Sequence, residues 1–109
     1  MSTVVKVIRP VGILDGTKAD VFRKDINACV ENNAYIILVD FQDVTFMDSS
    51  GLGALVLSLK TVRAAGAKLL LCSINEPIQM LFELTSMDRV FDIFPNREQF
   101  EEKLNNNQL

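Results

Sequence analysis

The sequence predicts a single α/β domain with a mainly parallel central sheet of about four strands and about four helices. Three observations carry this expectation. Strand-like and helix-like segments alternate four times along 109 residues, a length that suits one domain with one core. Two of the strand runs, residues 34–41 and 68–73, are apolar at nearly every position, so both of their faces must be covered. Strands joined through helices pair in parallel by right-handed crossovers.

Residues 4–11 read as the first strand, with Val5 and Val7 facing opposite to Val4, Lys6 and Ile8, and with Pro10 and Gly12 closing it. Residues 12–17 read as a turn in which Asp15 or Thr17 caps the next helix. That helix, about 17–32, is expected to bury Phe22, Ile26, Cys29 and Val30, and Asn32-Asn33 ends it because asparagine tolerates the left-handed conformation. The run from Ala34 to Phe41 is the most strongly apolar strand. A second helix, about 50–65, places Leu52, Leu55, Val56, Leu59 and Val62 on one stripe, and Gly66 is its C-terminal signal. The apolar strand from Lys68 to Ser73 follows. Glu76-Pro77 opens a third helix with Ile78, Leu81 and Phe82 inward. Residues 90–94 form a short last strand, and 96–105 a final helix carrying Phe100 and Leu104. The ordered core is thus expected over 4–104, with the Asn-rich end, 105–109, as a flexible tail.

Composition narrows the function. The formal net charge is -3, which gives no electrostatic case for binding nucleic acid or an anionic membrane. Met1-Ser2-Thr3-Val4 shows no basic region before a long apolar run, and no run approaches the ~18 apolar residues of a membrane span. Cys29 and Cys72 each sit in an apolar pattern and read as buried reduced thiols, so a cytoplasmic location is expected. The chain has no histidine, which removes Ser-His-Asp and Cys-His catalysis, histidine phosphotransfer and most zinc or iron sites. No catalytic residue, cofactor or metal ligand is assigned.

The informative block is Phe46-Met47-Asp48-Ser49-Ser50-Gly51-Leu52-Gly53, between the central strand and the second helix. It gathers two hydroxyls, a carboxylate and two glycines at a helix N-terminus, where free N–H groups and partial positive charge favour an anion. A serine there is well placed to carry a phosphate. Taken alone, Asp48 and Ser49 also serve as an ordinary helix cap. The block is neither a dinucleotide fingerprint, since Val56 stands where the third glycine belongs, nor a nucleotide-hydrolase phosphate loop, since no Gly-Lys-Ser/Thr follows.

The run from Phe46 to Leu55 resembles the signature of STAS domains, in particular of bacterial anti-sigma factor antagonists. Gly12-x-Leu14-Asp15, Ile36-Ile37-Leu38-Val39-Asp40-Phe41, Gly66-Ala67-Lys68-Leu69-Leu70-Leu71 and Pro77-Ile78-x-x-Leu81-Phe82-x-Leu84-Thr85 match further parts of the pattern, over about residues 4–100. The resemblance implies a non-catalytic partner switch. The unphosphorylated antagonist binds an anti-sigma factor that is also a GHKL-type serine kinase using ATP and magnesium, and so frees a sigma factor for transcription. The kinase then phosphorylates the serine after the aspartate, here Ser49 with Ser50 as the secondary candidate, and the complex falls apart. A PP2C-type phosphatase restores the active form. On this likeness Asp15, Asp48, Ser49, Ser50, Gly51, Leu52 and Gly53 meet the partner.

Two departures from the family pattern bear on the outcome. Many members carry another strand ahead of the one placed at 4–11, and its absence leaves the sheet edge exposed or paired in another way. Ile13 stands where an acidic or polar residue is common, and an apolar residue in an exposed loop suits a contact surface. STAS domains also serve as cytoplasmic subunits of lipid-transport ABC systems, the alternative job for this fold. A receiver domain phosphorylated on Asp40 or Asp48 is disfavoured, because only Asp15 follows the first strand where an acidic pair is needed.

Overall fold

The structure, a computed structural model, describes residues 4–109; Met1 to Thr3, read above for a leader segment, lie outside the described residues. A four-stranded, all-parallel sheet forms the centre in the order β1-β3-β5-β6, from Val5–Ile8, Ile36–Asp40, Lys68–Cys72 and Asp92–Phe94. Helices α1 (Gly16–Glu31), α2 (Ser49–Ala64) and α3 (Glu76–Leu84) contribute to one core, while α4 (Arg97–Asn105) covers the other sheet face. The α/β class, the parallel sheet and the four helices are those the sequence predicts.

The two apolar strands lie side by side in the middle of the sheet, and every residue of β3 is buried. Alternation splits their side chains. Ile37, Val39, Leu69 and Leu71 meet Phe22 and Ile26 of α1, Leu55 and Val62 of α2, and Ile78 and Phe82 of α3. Ile36, Leu38, Leu70 and Cys72 meet Phe100 of α4, with Val5, Val7, Phe94, Leu104 and Leu109 at the margin. Cys29 and Val30, expected inside, are only partly buried.

Two short strands escape the sequence reading. Residues 12–17, read as a turn, hold β2 (Gly12–Leu14), and the stretch after the central strand holds β4 (Val44–Met47). They pair in parallel as a separate two-stranded sheet. Correspondingly the first strand stops at Ile8 and the last begins at Asp92, after a 3₁₀ turn at Met87–Arg89. β1 pairs with β3 and is otherwise an edge among the described residues. Arg9, just past β1, holds the sheet's carboxyl edge: it lies 3.5 Å from the buried Asp40 and 3.0 Å from Asp43.

Helix ends follow local chemistry. Asn33 and Gly66 adopt φ of 61° and 77°, and each ends its helix with two N–H bonds back to the last turn. The Asn33 and Ala34 N–H groups reach the Val30 and Cys29 carbonyls, and those of Gly66 and Ala67 reach Arg63 and Val62.

Cys72 is fully buried beside Asp40, and burial, reinforced by that carboxylate, pushes its thiol up to about 11 from the ordinary 9.0. The unfolded thiol ionises first, so unfolding releases a proton at alkaline pH and stability falls between about pH 9 and 11. Below pH 9 this contribution is fully present. Urea titrations across that range are expected to show the decline, and Cys72→Ala is expected to flatten it. The same thiol should resist alkylation at neutral pH until the protein is denatured.

Candidate functional site

The site forms where two helices begin next to each other. Asp48 caps α2: its extended backbone precedes Ser49, and its Oδ1 accepts from the Gly51 N–H at 3.0 Å. Ser49 and Ser50 are therefore the first two helical residues, one position earlier than the sequence suggests, and both are exposed. Asp15 caps α1, accepting from the Thr17 N–H at 3.0 Å and the Thr17 hydroxyl at 2.6 Å. The Thr17 hydroxyl in particular, helped by the Thr17 and Lys18 N–H groups and the Lys18 charge, holds the Asp15 carboxyl below its usual range against its slight desolvation. Asp15 thus stays ionised at neutral pH.

Packing of α1 against α2 brings these caps together. A Cβ placed on Gly16 would lie 3.6 Å from the Ser50 hydroxyl, so the start of α1 faces Ser50. Gly51 lies in the join itself: a Cβ there would overlap the Leu14 carbonyl oxygen and sit 2.8 Å from Met47 Cγ. The Leu14 carbonyl also accepts from the Asp48 N–H at 3.4 Å, tying β2 to the cap of α2. Gly53 is exposed, with nothing within 4 Å of the added carbon.

Of the residues named from sequence, then, Ser49, Ser50 and Gly53 are exposed, and Asp15 and Asp48 are half-buried caps. Gly51 and Leu52 are buried. The small size of Gly51 serves contact within the chain. Sequence reasoning missed Asn75, which caps α3 through Oδ1 to the Ile78 N–H at 3.1 Å. Its amide also donates to the Val44 and Thr45 carbonyls at 3.2 and 3.0 Å, fixing β4 just ahead of the serines. The run Asn75-Glu76-Pro77 is a recognisable start signal, a capping residue shortly before proline.

Chemically the site offers two exposed hydroxyls at the positive end of α2, beside the positive end of α1. Neither helix carries an acidic residue in its first turn, so the two capping carboxylates are the local negative charges on them. A phosphate placed on Ser49 would gain roughly 0.3–1 kcal/mol from the helix terminus and be opposed by Asp48 at its side. The two effects act in opposite directions.

The STAS domain family matches residues 2–100. An anti-sigma-B factor antagonist of Bacillus subtilis is 32% identical over 87 residues, covering 80% of this chain and 79% of its own length. The anti-sigma factor antagonist SpoIIAA of Bacillus, solved in its unphosphorylated form, superposes with a TM-score of 0.71 at 23% identity, over 99% of this chain and 94% of the other. A sulfate transporter family protein from Wolinella succinogenes superposes at a TM-score of 0.78 and 16% identity, over 90% of this chain and 84% of its own. At such identities the structural likenesses speak for the fold alone.

Proposed function

This chain belongs to the STAS domain family, and from that premise we propose that it is an anti-sigma factor antagonist switched by phosphorylation of Ser49. The observation that carries the reading is Ser49 itself: an exposed hydroxyl at the first position of α2, directly after a capping aspartate, in a chain 32% identical to an anti-sigma-B factor antagonist. Ser49 is preferred over Ser50 because the Ser50 side chain faces Gly16 of the neighbouring helix.

In the unmodified state the face around Ser49 is small and weakly polar, and an anti-sigma factor docks on it and gives up its sigma factor. That partner is also a GHKL-type serine kinase. The Ser49 Oγ attacks the γ-phosphorus of the kinase's ATP, the bond from that phosphorus to the β-phosphate oxygen breaks and ADP departs, and the hydroxyl proton passes to a basic group of the kinase. The product carries about -1.5 to -2 charges where an interface had formed. Burying that dianion unpaired costs several kcal/mol, and each ~1.4 kcal/mol weakens affinity tenfold. The complex separates, and a PP2C-type phosphatase returns the serine to its hydroxyl form.

The test is affinity purification of the tagged chain from its native cell, followed by phosphosite mapping. An anti-sigma factor recovered with the unmodified chain, and a single phosphate on Ser49 in the unbound pool, is the expected result. Recovery of a transporter ATPase subunit with Ser49 unmodified would overturn the proposal in favour of the transport role.

A further inference from the structure

The outer face of the two-stranded sheet carries an apolar pair beside Ser49. Ile13 of β2 stands directly opposite Phe46 of β4, and they remain 48% and 45% exposed. Their neighbours along each strand, Leu14 and Met47, are buried in the core, so the strands turn one residue inward and the next outward. The pairing is not what a regular ladder would give. Gly12 faces Val44, but Ile13 faces Phe46, so Thr45 is an extra residue bulged out of β4. Bulges beside functional sites re-aim a side chain, and they are rare in parallel pairs. This one is fixed by the two bonds from the Asn75 amide to the Val44 and Thr45 carbonyls. Without the extra residue, Ile13 would face Thr45 and the aromatic ring would lie one step further on.

The pair is three residues ahead of Ser49 on one strand and two ahead of Asp15 on the other. It therefore adjoins both caps. We infer that Ile13 and Phe46 form the apolar half of the surface on which the anti-sigma factor docks, receiving an apolar patch of that partner while Ser49 supplies the switch. The inference rests on the reading of Ser49 given above. It divides the site into two functions: the bulged pair contributes affinity, and a phosphate on Ser49 opposes docking. An apolar centre with a polar rim is the usual anatomy of such an interface. Aromatic residues within it carry a large share of the binding energy.

The experiment uses the anti-sigma factor recovered by affinity purification, itself purified and titrated calorimetrically into the full chain. Ile13→Thr and Phe46→Thr keep strand propensity and shorten the apolar surface. Roughly 100 Å² of apolar surface lost from an interface translates to about tenfold or more in affinity. The double variant is expected to bind at least about tenfold more weakly at an unchanged melting midpoint. In the unsubstituted ¹⁵N-labelled chain, the Ile13, Thr45 and Phe46 amide signals should shift or broaden on titration, a readout independent of any variant's stability. Affinity of the double variant within about twofold of the original, with those amides unmoved, overturns the inference. If Ser49→Asp still blocks binding in that case, the reading of Ser49 stands alone. Failure of the unsubstituted chain to bind the partner overturns both.

Discussion

Ser49→Asp is expected to weaken binding of the anti-sigma factor by about a hundredfold or more, whereas Ser49→Ala should bind as tightly as the unmodified chain and lose its response to kinase and ATP. The asymmetry follows from the position. Ser49 is exposed and its side chain makes no hydrogen bond among the described residues, so removing the hydroxyl leaves the cap of α2 intact on Asp48. Adding a carboxylate leaves that cap intact as well, and a first-turn acid is tolerated by the helix. Folding stability should therefore change by less than about 0.5 kcal/mol in both variants. Binding differs because the new charge must be buried without a partner, at a cost of about 3 kcal/mol or more. Calorimetric titration of both variants, with melting curves alongside, separates a lost interface from a lost fold. Equal affinities for the two would remove the electrostatic basis of the switch.

Gly51→Ala is expected to destabilise the protein by about 2–4 kcal/mol, or about 10–25 °C in melting temperature. Alanine is ordinarily better than glycine within a helix by about 1 kcal/mol, so intrinsic propensity predicts the opposite sign. Here the added carbon overlaps the Leu14 carbonyl, a backbone atom that moves only if β2 and the start of α1 move with it. Gly53, two residues on in the same helix, is the control: its added carbon meets nothing, and Gly53→Ala should stabilise by about 0.5–1 kcal/mol. Urea denaturation of both variants checks the pair. A Gly51→Ala protein as stable as the original would mean the helix starts are not locked together through Leu14. Because Leu14 directly precedes Asp15, partner affinity should fall in Gly51→Ala even below its melting range.

The alternation of β3, α2, β5 and α3 was legible because long apolar runs and four-residue periodicities average over many side chains. Asp15, Asp48 and Gly66 were legible because capping chemistry is local. β2 and β4 were not, being three and four residues long. Glycine and aspartate around Ile13-Leu14 gave a turn signal that tertiary pairing overrode. The Thr45 bulge and the Asn75 bonds depend on residues some thirty positions apart, which no local pattern reports. The same limit applies to Gly51. Gly51 sits in helix α2, while the carbonyl that demands a glycine there belongs to Leu14 of β2.

The most direct measurement compares one purified anti-sigma factor binding to two forms of this chain, unmodified and stoichiometrically phosphorylated on Ser49. The account predicts a loss of at least about a hundredfold in affinity, with amide spectra of the two free forms differing only around the starts of α1 and α2. Affinities agreeing within about twofold would contradict it, and so would a phosphate that binds without loss but reorganises the fold.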